Sequence, residues 1–249
     1  MSKLDQVYGI HAVDSLLSHH STAVVQLYVL TDRREKKDKR LQGILTNAAN
    51  ASIPIQDCSR AELDDLCPQV HQGILALCKP LNLERHEKDL DALLDGLDHP
   101  PFLLILDGVT DPHNLGACLR SAEAAGVDAV IVPKDKSVQL NPTVRKVASG
   151  AAEIVPFIPV TNLSRTLQSL QQKGIWLFGA AEEAEQSLYG ADLKGPVAIV
   201  LGSEGKGLRR LTRENCDTLV AIPMAGEVSS LNVSVSAGII LYEAVRQRQ

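Results

Sequence analysis

Aromatic side chains are scarce. They make up 3% of the 249 residues, so the core has to be aliphatic. Long apolar runs are missing too. None approaches the roughly 18–20 residues that span a bilayer, and the opening "MSKLDQVYGIHAV" has no apolar stretch of the secretory kind. No membrane partner is expected. Cysteine pairing is the third absence. Cys58, Cys67, Cys78, Cys118 and Cys216 are odd in number and form no CxxC. That pattern suits reduced thiols in a cytoplasmic protein, and it argues against a disulfide framework or a zinc site. An excess of positive charge is the fourth. The net charge is −5, which alone argues weakly against a nucleic-acid partner.

The distribution of charge says more than its sum. Residues 1–80 carry nine basic and nine acidic side chains, residues 81–98 two and six, and residues 99–249 fourteen and fifteen. Acidity is therefore concentrated in one short segment. Against the neutral remainder stand "RREKKDKR" at 33–40, Lys134 and Lys136 with Arg145 and Lys146, and "KGLRRLTR" at 206–213. A solvated face would explain any one of these clusters. Three together modestly favour an anionic partner.

Residues 1–78 read as a small α/β unit. "VYGIHAVDSLLSHH" leads into a helix, "VVQLYVL" is a strand, and "KKDKRLQGILTNAANAS" is a helix with apolar Leu41, Ile44 and Leu45. "IPIQDC" is a short strand, "SRAELDDLC" a helix capped by Ser59 with Glu62 three residues on, and "QGILALC" a strand. A polar linker at 79–89 separates this unit from residues 90–249. There the rhythm changes. "PFLLILDGV", "VDAVIVP", "IWLFGAA", "PVAIVLG" and "LVAIPM" are nearly continuous apolar strands, alternating with helices such as "NLGACLRSAEAAG" and "LSRTLQSLQQKG". That alternation predicts a parallel sheet covered on both faces, with ligands bound beyond the carboxyl ends of its strands.

Three polar loops fall at those ends. In "LDGVTDPHNLGACLRSAEAAG", Asn114 is placed to cap the next helix, and capping alone would account for it. Arg120 follows Gly116 by four residues and shares its face. It suits phosphate recognition, and a surface pair with Glu123 is the plain alternative. "IVLGSEGKGLRRL" brings three glycines within six residues, in the order GxxGxG. Neither the dinucleotide fingerprint nor a P-loop has that order, so nicotinamide and ATP sites are poorly supported. Glu204, between the glycines, would oppose a phosphate and favour hydroxyl, amino or cationic groups. "GEVSSLNVSVSAGIILYEAV" puts Ser229, Ser230, Asn232, Ser234 and Ser236 at the start of an apolar helix, although "SVSVS" alone could be a strand. A helix beginning near Ser230 would have Ser229 or Ser230 as its cap.

These three stretches, in this order, resemble the sequence motifs of the SpoU (TrmH) branch of the SPOUT RNA methyltransferases. "YGIHAV" and "VHQGILAL" resemble the small RNA-binding domain that precedes the catalytic domain in one subgroup. The likeness covers nearly the whole chain, and it is nearest to the bacterial enzymes that methylate a guanosine of 23S rRNA. It implies an α/β catalytic domain with a deep trefoil knot. It also implies a homodimer through the C-terminal domain, S-adenosylmethionine as cofactor, and a guanosine 2′-hydroxyl in the peptidyl-transferase region of 23S rRNA as substrate. Carried over residue by residue, the family's catalytic positions fall on Asn114, Arg120, Glu204, Ser230 and Asn232. Its cofactor positions fall on Ala180, Leu201, Gly202, Gly205, Ile222, Met224 and Leu231.

The implied chemistry is in-line attack of a ribose oxygen on a methyl sulfonium, which is already activated and requires no metal. The protein has to position the hydroxyl and assist loss of its proton. A guanidinium, with a pKa above about 12, is a poor base. Arg120 therefore reads as an electrostatic stabiliser and phosphate clamp. A non-catalytic RNA-binding factor with the same fold is the competing reading, and the intact Asn114, Arg120, Glu204 and Asn232 speak against it.

Overall fold

The computed structural model describes residues 4–35, 38–81 and 83–249. Lys36 and Lys37, two members of the 33–40 cluster, lie outside the described residues. The chain forms two compact units. One comprises Met1–Leu83 with Leu140–Ile154, the other Glu84–Gln139 with Val155–Gln249.

The first unit holds β1 (Asp5–Tyr8), α1 (Ile10–His20), β2 (Val24–Leu30), α2 (Thr31–Glu35), α3 (Lys39–Asn50), β3 (Ile55–Cys58), α4 (Arg60–Leu66) and β4 (Ile74–Cys78). Its sheet runs β1-β4-β2-β3, antiparallel except for the β2/β3 pair. Helix α1 buries Ile10, Val13, Leu16 and Leu17, the spacing of a single apolar stripe, against Leu41, Ile44 and Ala48 of α3 and the sheet. The Ser59–Glu62 capping box is present in full, as the sequence pattern predicts. Helix α3 begins at Lys39 because the Asp38 carboxylate accepts from the Arg40 and Leu41 N–H groups.

The second unit holds α5 (Leu90–Asp95), β5 (Phe102–Asp107), α6 (Pro112–Ala124) and β6 (Ala129–Pro133). Between β6 and the next strand the chain leaves this unit. The helix α7 (Pro142–Ala148), which lies in the stretch the sequence reading assigns to the C-terminal domain, belongs to the first unit. The second unit then resumes with β7 (Phe157–Val160), α8 (Leu163–Gln172), β8 (Trp176–Ala180), β9 (Gln186–Ser187), β10 (Val197–Gly202), α9 (Arg210–Glu214), β11 (Thr218–Ala221) and α10 (Val233–Arg248).

Its seven strands are ordered β7-β6-β5-β10-β8-β11-β9, and every neighbouring pair is parallel. All six residues of β5 are buried, so both faces of the sheet are covered. Leu103, Ile105, Ala198 and Val200 share one core cluster with Leu90 and Leu94 of α5 and Leu163, Leu167 and Leu170 of α8. Helix α10 packs along α6 and against β10. Consecutive parallel strands put their carboxyl ends on one edge, where the three polar loops emerge.

Candidate active site

Helix α6 starts one turn earlier than a cap at Asn114 would allow. Asp111 is the N-cap and accepts from the His113 N–H, and Pro112 occupies the first helical position. Asn114 is thus inside the first turn, buried, and its amide is free for another task. Helix α10 starts later than expected. Its cap is Asn232, not Ser229 or Ser230, which remain exposed in the preceding loop. Asn232 Oδ1 accepts from both the backbone N–H of Ser234, at 2.9 Å, and its hydroxyl, at 2.6 Å.

That double acceptance fixes which way the Asn232 amide points. Its nitrogen faces inward and donates to Glu204 Oε1 at 2.6 Å and to Asn114 Oδ1 at 3.0 Å. Asn114 Nδ2 donates to the same Glu204 oxygen at 2.8 Å. Three residues from the three polar loops therefore close a ring of hydrogen bonds, in which one carboxylate oxygen collects two amide donors. Glu204 itself is exposed, so its second oxygen faces solvent, where a hydroxyl could reach it. Beneath the ring, burial reinforced by the Glu204 charge pushes the Cys118 thiol up to about 12. Cys118 is no nucleophile at neutral pH.

The glycines of "GSEGKG" are needed for a close backbone approach. Ser203 and Gly207 exchange both backbone hydrogen bonds, at 3.1 and 2.9 Å. A Cβ on Gly202 would collide with the Gly207 backbone, so only glycine fits there. Gly205 turns the loop with φ of 73°. At the end of β5 the buried Asp107 anchors the exit of this loop. Its Oδ2 accepts the Arg209 N–H at 3.0 Å, and its Oδ1 lies 3.3 Å from Arg209 Nη1. No local sequence pattern marks this anchor, because Asp107 and Arg209 are 102 residues apart.

Arg120 is not brought into the ring. It sits near the end of α6, exposed, and has no hydrogen-bond or ion-pair partner among the described residues, Glu123 included. Ser230 is likewise outside the ring and exposed. The remaining positions gather at one edge. Ala180 ends β8, Leu201 and Gly202 end β10, Gly205 follows, Ile222 and Met224 follow β11, and Leu231 precedes α10. Strands β10, β8 and β11 are neighbours. Ile222 and Leu231 are half-buried and Met224 is 37% exposed. Between Pro223 and Leu231 no backbone–backbone hydrogen bond is made among the described residues. Open apolar side chains therefore stand beside backbone donors and acceptors that no other described backbone group engages.

The basic clusters fare unevenly. Arg33 pairs with Asp38, Arg34 with Asp57 at 2.7 Å, and Arg40 with Asp14 at 3.6 Å. Arg210 pairs with Glu214, and Arg213 with Glu183. Arg145 is buried and bound to Glu153, so it is no surface contact for an anion. Lys134, Lys136 and Lys206 are exposed without side-chain partners among the described residues.

Residues 101–242 match the SpoU rRNA Methylase family. The chain belongs to that family. Residues 6–84 match the RNA 2′-O ribose methyltransferase substrate binding family, so both units of this SpoU protein have family counterparts. It is 57% identical over 250 residues to the 23S rRNA (guanosine-2′-O-)-methyltransferase RlmB of Shewanella oneidensis, covering 100% of both chains. It is 55% identical over 249 residues to the protein of the same name in Pseudomonas putida, covering 100% of this chain and 99% of that one. Among solved structures it is similar to an RNA 2′-O ribose methyltransferase, with a TM-score of 0.79, 30% identity, and 99% and 90% of the two chains covered. It is also similar to the SpoU methyltransferase AviRb of Streptomyces viridochromogenes in complex with AdoMet. There the TM-score is 0.76 and the identity 25%, and 98% and 90% of the chains are covered. Among the described residues no helix is long and apolar enough to cross a membrane.

Proposed function

We propose that this SpoU protein transfers a methyl group from S-adenosylmethionine to the ribose 2′-hydroxyl of a guanosine in 23S rRNA, in its peptidyl-transferase region. The observation that carries the reading is the Asn114–Glu204–Asn232 ring at the carboxyl edge of the parallel sheet. The relatives' names and the AdoMet complex of AviRb support the substrate and the cofactor. The cofactor would supply a methyl group already activated on sulfonium. Ile222, Met224 and Leu231, with the open backbone around them, would hold its nucleoside. Ala180, Leu201, Gly202 and Gly205 would shape the same edge. The ring would hold the Glu204 carboxylate oriented, so that its free oxygen receives or orients the ribose hydroxyl. Arg120, uncompensated and exposed, would stabilise the developing alkoxide and clamp an RNA phosphate. Ser230 would contact substrate or cofactor from the loop before α10.

A homodimer through the second unit, and the trefoil knot of the family, belong to the same reading. On α10, Val235 and Tyr242 are 50% and 52% exposed and Ile239 is half-buried between them. This i, i+4, i+7 stripe is open to a partner. Radiolabelled methyl transfer to a 23S rRNA transcript, followed by mapping of the alkali-resistant 2′-O-methylated guanosine, tests the reaction. Methylation of a base, or none, would sink it. Sedimentation of the wild type against Val235→Lys/Tyr242→Glu tests the dimer.

A further inference from the structure

The first unit contains a cavity of about 410 Å³ that the ring described above does not use. Leu30, Arg33, Arg60, Asp64, Val70 and His71 are among its walls. The turn His71–Gln72–Gly73 lines it as well, and that turn is held from three directions. His71 is buried. Its Nδ1 accepts the Gly73 N–H at 2.9 Å, so its proton is on Nε2 and is donated to Asp64 Oδ1 at 2.8 Å. Gln72 has a left-handed backbone, φ 53°, and its side chain reaches back to α1, where Oε1 accepts the Ile10 N–H at 3.1 Å. Its carbonyl accepts from the Arg33 guanidinium.

A turn fixed so firmly cannot tuck its neighbours away. Val70 is left 70% exposed. Arg60, also on the lining, has a side chain 80% exposed, and its one ion pair among the described residues, to Asp64, is a loose 3.7 Å. The rim thus presents an apolar side chain, a wet planar cation and polar groups around a small hollow. An amphipathic planar ligand with negative charge fits that combination. RNA is read largely through unstacked nucleotides whose bases lie on apolar or guanidinium faces. The volume is at the small end of the roughly 300–1,000 Å³ range of ligand sites, room for one nucleotide and not for a duplex.

We propose that this cavity binds a single unstacked nucleotide of the RNA substrate, its base against Val70 and its phosphate toward Arg60. The proposal rests on the RNA-methyltransferase reading above. The test uses the full-length protein and a 23S rRNA transcript carrying 4-thiouridine. After irradiation, cross-linked peptides are sequenced, and cross-links are expected within residues 60–73. Arg60→Glu with Val70→Asp should weaken RNA binding about ten-fold, the size of one lost charge-assisted contact. Cofactor affinity and melting temperature should not change. Cross-links elsewhere only, together with unaltered RNA affinity in the double variant, overturn the cavity. So does protection of residues 60–73 by uridine monophosphate but not by RNA, since the site would then serve a free nucleotide. Methyl transfer by the wild type is scored in parallel. Its absence counts against the function proposed above, and the cross-link map still decides the cavity.

Discussion

Two polar constellations, one in each unit, are built on opposite plans. In the second unit the Asn114–Glu204–Asn232 ring joins three loops, stands at the surface, and leaves a carboxylate oxygen facing water. In the first unit Arg145 and Glu153 form a 2.9 Å ion pair whose side chains are 7% and 0% exposed. There Arg145 Nη2 and Glu153 Oε2 are buried without partners. The open ring keeps unspent capacity where a ligand can reach it. The buried pair keeps its own where nothing can, and desolvation works against it.

The largest expected effect comes from the buried pair. Arg145→Ala strands a carboxylate and should cost about 3–5 kcal/mol in urea unfolding, whereas Arg145→Met/Glu153→Leu should recover most of that loss. Equal losses in both variants would mean that the pair stabilises as an ion pair after all. At the open end, Arg120→Ala should lower methyl transfer by about 10²–10³-fold, the range for removing one electrostatic stabiliser. Cofactor affinity by calorimetry should stay within a few-fold. Arg120→Lys should not restore the rate, because an ammonium lacks the planar fork. Parallel loss of cofactor binding would place Arg120 in the wrong role.

A smaller effect is expected at Ser234. Ser234→Ala removes one of the two donors that orient the Asn232 amide, so the rate should fall about ten-fold, as for one lost hydrogen bond to a positioned group. The melting temperature should hold, and Ser234→Thr should restore the rate. A rate unchanged in the alanine variant would show that the backbone N–H alone suffices.

The smallest effect separates two glutamates by the sign of their pH dependence. Hydrogen bonds from Arg246 and Gln247 hold Glu243 down at about 2. Its contribution to stability is present above the ordinary glutamate range and is lost as pH falls toward 2. Burial raises Glu153, against the pull of Arg145. Its contribution is greatest at low pH and is lost as pH rises through that elevated value. Glu243→Gln should flatten the acid limb of a stability–pH curve, and Glu153→Gln should flatten the other. The same limb changing in both variants would contradict this assignment.

What could be read beforehand was whatever is local. The Ser59–Glu62 cap follows from residues three apart, and the parallel sheet follows from runs of Val, Ile and Leu. Asn114, Glu204 and Asn232 were named through resemblance, since nothing in their spacing says that they touch. The cap at Asn232 was misplaced to Ser229 or Ser230 because all three are good caps, and only the ring decides among them. The remote cap that Gln72 provides for α1, and the grip of Asp107 on Arg209, join residues 62 and 102 positions apart. No local pattern encodes such pairs. Which members of the basic clusters stay uncompensated was illegible for the same reason, because their acidic partners, such as Asp57 and Asp14, lie elsewhere in the chain.

The ring also sets a timetable. Asn114 and Asn232 are 118 residues apart, and Asn114 and Glu204 are 90 apart. Strand β10 must lie between β5 and β8, both made earlier, before Glu204 is in place. A chain emerging from the ribosome carries Asn114 through 90 further residues before Glu204 is made, and through 118 before the ring can close. Contacts of such long separation form late and slowly. Competence at this site would therefore arrive in one step, when α10 docks on α6, and a partly folded molecule would have no partial activity to misdirect.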